Sequence, residues 1–378
     1  MKLIHLSDLH LGKRVNGFSM LEDQEFILTK IINIIDAEKP QGVIIAGDIY
    51  DKSIPSSEAV MLFDNFLSRL AKRALQVFVI SGNHDSAERL SFASSLIDLS
   101  GIHISPVFDG EIKPFVLEDE FGKVNIYMLP FIKPVNVRAM FKTDEITDYT
   151  KAIEYIIQKT DVNASERNVI AAHQFVTGAV RSDSEEMSVG GLDNVDASVF
   201  DSFDYVALGH IHAPQKIVRD TVRYCGSPLK YSFSEISQKK SVTVIELLEK
   251  GNTQVRTVPL LPKHDMREIR GTYDEIVLRE NYENTETNDY MRIILTDEDD
   301  IPDVMNKLRI IYPNLMEVKY DNKRTKTSAV LNDIEGIEKK TEIDLFADFF
   351  EIQNGQPLSS EQAEIVRNLF DELKEAAE

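Results

Sequence analysis

The chain has 378 residues, 43% of them hydrophobic, with one cysteine and a formal net charge of −21. That length and apolar content allow one large domain with one or two small ones, while the lack of any run of about 18 uninterrupted apolar residues argues against a membrane span. The single Cys225 rules out an internal disulfide framework or a thiolate metal cluster, and the negative charge, most of it beyond residue 265, argues against holding nucleic acid on a broad basic surface.

The N-terminal stretch MKLIHLSDLHLG lacks the apolar core and cleavage site of a signal peptide, so a cytoplasmic location is expected. Within it, KLIHLSDLH is the first of five short apolar runs that end in His, Asp or Asn; GVIIAGD, QVFVISGNHD, NVIAAHQF and YVALGHIH are the others. Between the first three lie LEDQEFILTKIINIIDAEK and SEAVMLFDNFLSRLAKR, whose apolar residues recur at spacings of three and four as in amphipathic helices. Alternating strands and helices imply right-handed crossovers and a largely parallel sheet covered on both faces. Ligands of such sheets bind beyond the carboxyl ends of the strands, so five polar strand ends are expected to converge on one cleft.

After Ile211, QKIVRDTVRYCGSPLKYS and KSVTVIELLEKGNTQVRTVPL read as hairpins, the second turning at Gly251-Asn252, and together suggest a second layer of the same domain. From about Met266, YMRIILTDEDD, IPDVMNKLRIIYP and LMEVKYD read as strand, helix and strand of a small α+β cap. The polar DNKRTKTSAVLND resembles a linker. Two helical stretches, KTEIDLFADFFEIQNG and SSEQAEIVRNLFDELKEAAE, end the chain. The expected domains are 1–265, 266–322 as the cap, and 323–378 as linker and helix pair. In that pair Leu345, Phe346, Phe349 and Phe350, then Ile365, Leu369, Phe370 and Leu373, give more apolar face than a linker requires and suit docking on a partner's coiled coil.

The polar strand ends are Asp8 and His10, Asp48, Asn83 and His84, His173, and His210 and His212. Oxygen and imidazole donors without thiolate suit Mn²⁺, Fe²⁺, Zn²⁺ or, less well, Mg²⁺. Residues one apart in an extended loop can point to the same side, as one cation needs from Asp8 with His10 or from His210 with His212. These are too many donors for one ion, and Asp48 can bridge two. Two metals about 3.5–4 Å apart bind a phosphate between them, acidify a water and favour in-line attack at phosphorus, so phosphoester hydrolysis is the natural reaction. His84, next to Asn83, is assigned the catalytic imidazole that stabilises the transition state or protonates the leaving oxygen. Ser86 is a candidate N-cap of the segment that follows.

Other residues carry plainer readings. His5 and His103 lie in apolar strand patterns and are expected in the core, and His264 at the surface. Asp51 and Asp85 orient neighbouring groups or only cap loops, with nothing in the sequence to separate the two. Lys13 and Arg14, beside the first motif, are candidates for contacting DNA phosphates or are simply solvated. The stripe Met61, Leu62, Phe63, Phe66, Leu67 and Leu70 is wider than one sheet face would bury.

The ordered set Asp-x-His, Gly-Asp, Gly-Asn-His-Asp, His, Gly-His-x-His resembles that of the calcineurin-like metallophosphoesterases. The resemblance implies a four-layer α/β/β/α sandwich. It places one metal on Asp8, His10, Asp48 and His212 and the other on Asp48, Asn83, His173 and His210, with His84 catalytic. Within that superfamily SDLHLGK, AGDIYDKSIPSSEA, GNHDSAERLSFAS and YCGSPLKYSFSE are similar to the SbcD-type nuclease subunits of bacteria, over residues 1 to about 265. The likeness implies a 3′-to-5′ double-strand DNA exonuclease and single-strand or hairpin endonuclease in DNA repair, recombination and replication, usually with Mn²⁺. It also implies an SbcC-like coiled-coil ATPase partner, docked through the C-terminal helix pair. A homodimer, and hence a heterotetramer with that partner, is implied too, through the Met61 helix and the segment after Asp85. No G-x-x-x-x-G-K-[ST] occurs, so ATP dependence must come from the partner. Two other functions use the same residues: a phosphatase or cyclic-nucleotide phosphodiesterase acting on small substrates, and a non-catalytic DNA clamp or scaffold.

Overall fold

The structure, a computed structural model, describes residues 1–185 and 193–323 and, beyond them, 325, 343, 346, 347, 350, 357–359, 362, 363, 365–367, 369 and 370. It divides into two compact units, Met1–Met266 and Arg267–Glu378. The first unit opens with β1 (Lys2–Leu6), α1 (Leu21–Glu38), β2 (Gly42–Ala46), α2 (Ser57–Ala71), β3 (Gln76–Ile80) and β4 (Ile102–Ile104). Then come β5 (Phe115–Asp119), β6 (Gly122–Leu129), α3 (Pro134–Phe141), α4 (Tyr149–Lys159), β7 (Arg167–His173), β8 (Tyr205–Gly209), β9 (Gln215–Ile217), β10 (Arg219–Tyr224), β11 (Ser241–Leu247) and β12 (Thr253–Pro259).

These strands form two six-stranded sheets, in the orders β12-β11-β1-β2-β3-β4 and β9-β10-β8-β7-β6-β5. The five motif-bearing strands are thus shared between sheets, β1, β2 and β3 in one and β7 and β8 in the other, and not gathered in the single sheet expected. Nothing polar marks the change. The second sheet begins with the β5/β6 hairpin, whose strands end in no candidate ligand. The two later hairpins also do not build a layer of their own. β11 adds antiparallel to β1 in one sheet, and β10 adds parallel to β8 in the other.

The strands read as continuous apolar runs because both faces of each sheet are covered. On the inner faces Leu3, Ile44, Ala46, Phe78 and Ile80 pack against Val124, Ile126, Val169, Ala171, Tyr205 and Ala207. Outside the second sheet Leu129, Ile170, Ala172, Val206 and Leu208 pack against Val137 of α3 and Ala152, Ile153 and Ile156 of α4. Helices α1 and α2 bury Ile27, Leu28, Ile31, Ile32 and Ile35, and Phe63, Phe66 and Leu70. The result is the helix, sheet, sheet, helix layering expected of the family.

The second unit carries all but the first residue of β13 (Met266–Gly271), then α5 (Tyr273–Val277), β14 (Tyr290–Leu295), α6 (Val304–Arg309) and β15 (Leu315–Tyr320). Its sheet runs β13-β14-β15, with β14 and β15 parallel around α6, and Ile276, Met291, Ile293, Leu308 and Leu315 fill the core. The strand β13 has no counterpart among the elements expected from the sequence. Of the expected C-terminal pair, Phe346, Phe350, Ile365, Leu369 and Phe370 are helical, and the rings of Phe346 and Phe370 lie 6.1 Å apart. Leu345, Phe349, Leu373 and most of the expected linker lie outside the described residues. Among the described residues no helix is long and apolar enough to cross a membrane.

The sheets meet backbone to backbone at the carboxyl ends of β2, β7 and β8, and two glycines permit it. A Cβ on Gly209 would fall inside van der Waals contact of the Ala46 carbonyl oxygen and lie 2.8 Å from His173 Nδ1. Gly47, at φ +87°, would drive a Cβ into the His173 ring. Replacing Gly209→Ala should therefore lower the unfolding free energy by about 2–3 kcal/mol through overpacking at this seam, read from urea melts; an unchanged midpoint would mean the gap yields freely.

Candidate metal centre

The loops after β1, β2 and β8 deliver polar residues through an unusual backbone. Asp8, His10, Asp48 and His210 all have positive φ, at 53°, 44°, 51° and 105°. That region is disfavoured for residues with a Cβ and is held only where surrounding contacts over-determine it. Those contacts are present. The loop after β1 is sewn to the loop after β2 by Asp8 N–H to the Gly47 carbonyl, His10 N–H to that of Asp48 and Leu11 N–H to that of Ile49, at 2.9–3.0 Å. The Asp85 carboxylate accepts the amides of Ile49, Tyr50 and Gly82 at 2.9–3.1 Å, pinning the loops after β2 and β3 together. Asp85 therefore acts through the backbone of the loops that carry Asp48 and Asn83.

The seven candidate ligands converge, and all but Asn83 are buried. His10 Nε2 and His212 Nε2 face each other at 3.0 Å, with Asp8 in the same group; one donor atom from each of the three lies within 4.8 Å of the others. Asn83 Oδ1 lies 2.9 Å from His210 Nδ1 and 3.0 Å from His173 Nε2. Asp48 stands between the two groups. Its Oδ1 accepts the His84 amide at 2.9 Å, while Oδ2 lies 3.6 Å from His10 Nε2 and 3.3 Å from His173 Nε2. His173 is aimed by Nδ1–H donation to the Ala46 carbonyl across the seam, at 2.8 Å.

His84 is partly buried, with one ring nitrogen near His10 and Asp48. Its Nδ1 sits 3.0 Å from the Asp51 carbonyl, which leaves Nε2 for chemistry. Asp51 thus orients His84 through its backbone, and its carboxylate holds Lys13 at 2.8 Å. Lys13 also lies over the Tyr231 ring, at 5.6 Å from the centroid, and Arg14 is exposed in a short hairpin. Ser86 caps a single turn, Ala87–Leu90. Of the histidines read as bystanders, His5 bonds Tyr205 in the core and His103 bonds Asp98 and Gln76. His264 is no free surface residue: its side chain is 20% exposed and bonded to the buried Asp23.

Several residues at the site carry no signal in the sequence. Gln24 and Tyr231 brace the His10 loop, Gln24 Nε2 donating to the His10 carbonyl at 2.7 Å and Tyr231 O–H to that of Leu9 at 2.6 Å. Behind His212 lie Ser184, Glu185, Glu235 and Lys240. Gln24 falls on an amphipathic helix, where a polar residue reads as solvent-facing, and Ser184, Glu185 and Lys240 sit in polar loop sequence. Tyr231 and Glu235 fall within YCGSPLKYSFSE, which marks their segment without giving either a role.

The electrostatics follow from burial and pairing. Burial raises the Asp8 carboxyl to about 6 against the pull of His173 and His212. Burial would also raise Asp48, but the imidazoles of His173 and His10 bring it well below the carboxylate range. Burial drives His10 well down and His210 to about 3. His173 resists burial because Asp48, then Asp8, hold it up at about 9. The donor set fits hard or borderline divalent cations. Nitrogen donors at about 2.1 Å from one ion lie about 3 Å apart at adjacent positions, close to the His10–His212 spacing, and the buried His10 Nδ1 has no hydrogen-bond partner. Cys225 is buried at 3.1 Å from Ser7 Oγ, its thiol pushed up by desolvation, and supplies no thiolate.

Residues 1–214 match the family model of calcineurin-like phosphoesterases, and residues 262–354 that of the type 5 capsule protein repressor C-terminal domain. The SbcD component of nuclease SbcCD from Staphylococcus epidermidis is 32% identical over 377 residues, covering 98% of each chain. Its counterpart from Staphylococcus saprophyticus is 31% identical over 379 residues, covering 99% of each. A solved dimetal phosphatase from Danio rerio is 11% identical, with a TM-score of 0.44 over 69% of this chain and 96% of its own.

At pH 7 the metal-free site holds a proton on His173, with His10 and His210 neutral and Asp8 mostly ionised. Loading with Mn²⁺ should therefore expel about one proton per chain, and affinity should rise with pH towards 9. Calorimetry in buffers of low and high ionisation enthalpy reads this directly. Buffer-independent enthalpies would contradict it.

Proposed function

This chain belongs to the calcineurin-like phosphoesterases, and within them to the family of the SbcD nucleases, and from that premise we propose that it is the metal-dependent nuclease subunit of a two-component DNA-processing complex. The observation that carries the reading is the position of Asp48 Oδ2, within 3.6 Å of His10 and 3.3 Å of His173, between two clusters of donors. Asp8, His10, Asp48 and His212 would hold one divalent cation, and Asp48, Asn83, His173 and His210 the other; the donors suit Mn²⁺, Fe²⁺ or Zn²⁺ and, less well, Mg²⁺, and the family likeness favours Mn²⁺. When bound, such a pair supplies Lewis-acid polarisation of a phosphoryl oxygen and a nucleophilic water at neutral pH.

The chain's own residues supply orientation and proton transfer. The Asp51 carbonyl fixes the His84 ring so that Nε2 can give a hydrogen bond or a proton to the departing 3′- or 5′-oxygen. The His84 amide anchors Oδ1 of Asp48, and the Asp85 carboxylate keeps that amide's loop in register. Lys13 balances Asp51, while exposed Arg14 is available to a DNA phosphate.

A net charge of −21 leaves little basic surface for DNA, so the reading assigns the main DNA path to a partner, an SbcC-like coiled-coil ATPase in the cytoplasm, docked through the C-terminal segment. Homodimerisation is supported by exposed apolar side chains in two stretches: Ile54 and Met61, at 70% each, and Phe92, Leu96 and Leu99, at 72–90%. Phe63, Phe66 and Leu70 of the α2 stripe are instead buried in the core.

Purified protein with Mn²⁺ should cut a hairpin-ended duplex, more extensively with its ATPase; rapid turnover of small phosphomonoesters without DNA cleavage would favour the small-substrate phosphatase. His84→Gln should retain both cations and lose about 10²–10⁴ in rate, and loss of metal would recast His84 as a ligand. Deleting residues 335–378 should spare metal-dependent activity on single strands and abolish co-purification with the ATPase. Unchanged co-purification would remove the docking assignment.

A further inference from the structure

The polar network behind His212 is more elaborate than a buried loop needs. Glu235 is fully buried, and its two oxygens are divided. Oε2 accepts the Lys240 ammonium at 2.5 Å, while Oε1 accepts Ser184 O–H at 2.5 Å. Lys240, its side chain 4% exposed, is itself fixed by the His212 carbonyl and Ser227 Oγ, each at 2.9 Å. Ser184 Oγ in turn lies 2.6 Å from His212 Nδ1. Ser184 Oγ also lies 3.0 Å from Ser182 Oγ, whose own proton goes to Glu185; a carboxylate paired with an ammonium is an acceptor only, so the single Ser184 proton goes to Glu235, its nearest acceptor, and the Ser184 oxygen accepts from His212. Nδ1 therefore carries the hydrogen, and the lone pair of His212 is at Nε2, the atom facing His10 Nε2 at 3.0 Å. On the main-chain side the His212 amide donates to Glu185 Oε1 at 2.6 Å, and the Glu185 carboxylate is held by the Ser182 hydroxyl at 2.8 Å. Ring and backbone of His212 are thus both oriented by one short segment, 182–185.

We propose that Glu235, Ser184 and Lys240 form a positioning relay that sets the tautomer and orientation of His212, and so selectively controls the cation shared by Asp8, His10 and His212. The relay is a carboxylate–imidazole pair with a hydroxyl inserted. Partners of this kind typically change metal affinity by about 10- to 100-fold. The other donor group has a different support: His173 is aimed by the Ala46 carbonyl and His210 lies against Asn83, with no member of the relay bonded to either. One cation should respond to the relay and the other should not.

The inference rests on the two-cation reading, and the test separates them. Mn²⁺ is titrated into the full-length protein and its Ser184→Ala, Ser184→Thr and Glu235→Gln variants, with free Mn²⁺ and exchange coupling followed by electron paramagnetic resonance. Wild type should bind two ions as a coupled pair; fewer than two would defeat the underlying reading. Given two, Ser184→Ala should weaken one site about 10- to 100-fold and leave the other within about twofold, giving uncoupled single-ion spectra at intermediate Mn²⁺. Ser184→Thr, which keeps the hydroxyl, should restore the pair. Glu235→Gln should follow Ser184→Ala, and because it disturbs the buried Lys240 its melting temperature is measured alongside. Two unchanged sites in Ser184→Ala, equal weakening of both, or no rescue by threonine would overturn the relay.

Discussion

The bond from His173 Nδ1 to the Ala46 carbonyl is the constraint on which the centre depends, because it joins the rim of one sheet to the rim of the other. It forms only because Gly47 and Gly209 leave room for the two backbones to meet. By spending Nδ1 on a main-chain acceptor it turns Nε2 towards Asp48 and Asn83, and so decides which atom of the ring meets the centre. The sheets pack through ordinary apolar side chains along most of their length. At the seam that packing gives way to directed polar contacts.

Concentrating ionisable groups in a dry pocket is costly, and their charges are arranged to limit the cost. His173 is kept cationic beside an ionised Asp48, while His10 and His210 are kept neutral. A second cost is conformational, since four donors sit at positive φ in loops stitched to one another and to Asp85. Both costs fall on the residues that would hold the cations, which is where strain and perturbed pKa values cluster when they serve function. None of these residues belongs to the two apolar clusters that fill the sandwich.

The sequence revealed the donors but not how they meet. Apolar runs ending in Asp8, Asp48, Asn83, His173 and His210 were visible because a buried strand has no packing reason to end in such residues. The division into two sheets came with the family resemblance and not from the strand pattern, since β6 ends in Leu129 and Pro130 follows, with no polar residue to signal the switch. The residues that aim the donors were also hidden. Asp85 works by accepting three amides, Asp51 by its carbonyl, and Ser184 and Glu235 by bonds to a ring far away in sequence. Such roles depend on backbone geometry and long-range approach, which residue type and spacing do not encode. His264 shows the same limit in reverse: a polar residue near a domain boundary reads as surface, yet it closes on buried Asp23.

The central claim is that loops from both sheets bring their donors together around two cations with Asp48 common to both. Anomalous diffraction from crystals grown with Mn²⁺ tests it most directly. The account predicts two peaks, one against Asp8, His10 and His212 and the other against Asn83, His173 and His210, each in contact with the Asp48 carboxylate. One peak, or two of which Asp48 touches only one, would contradict it.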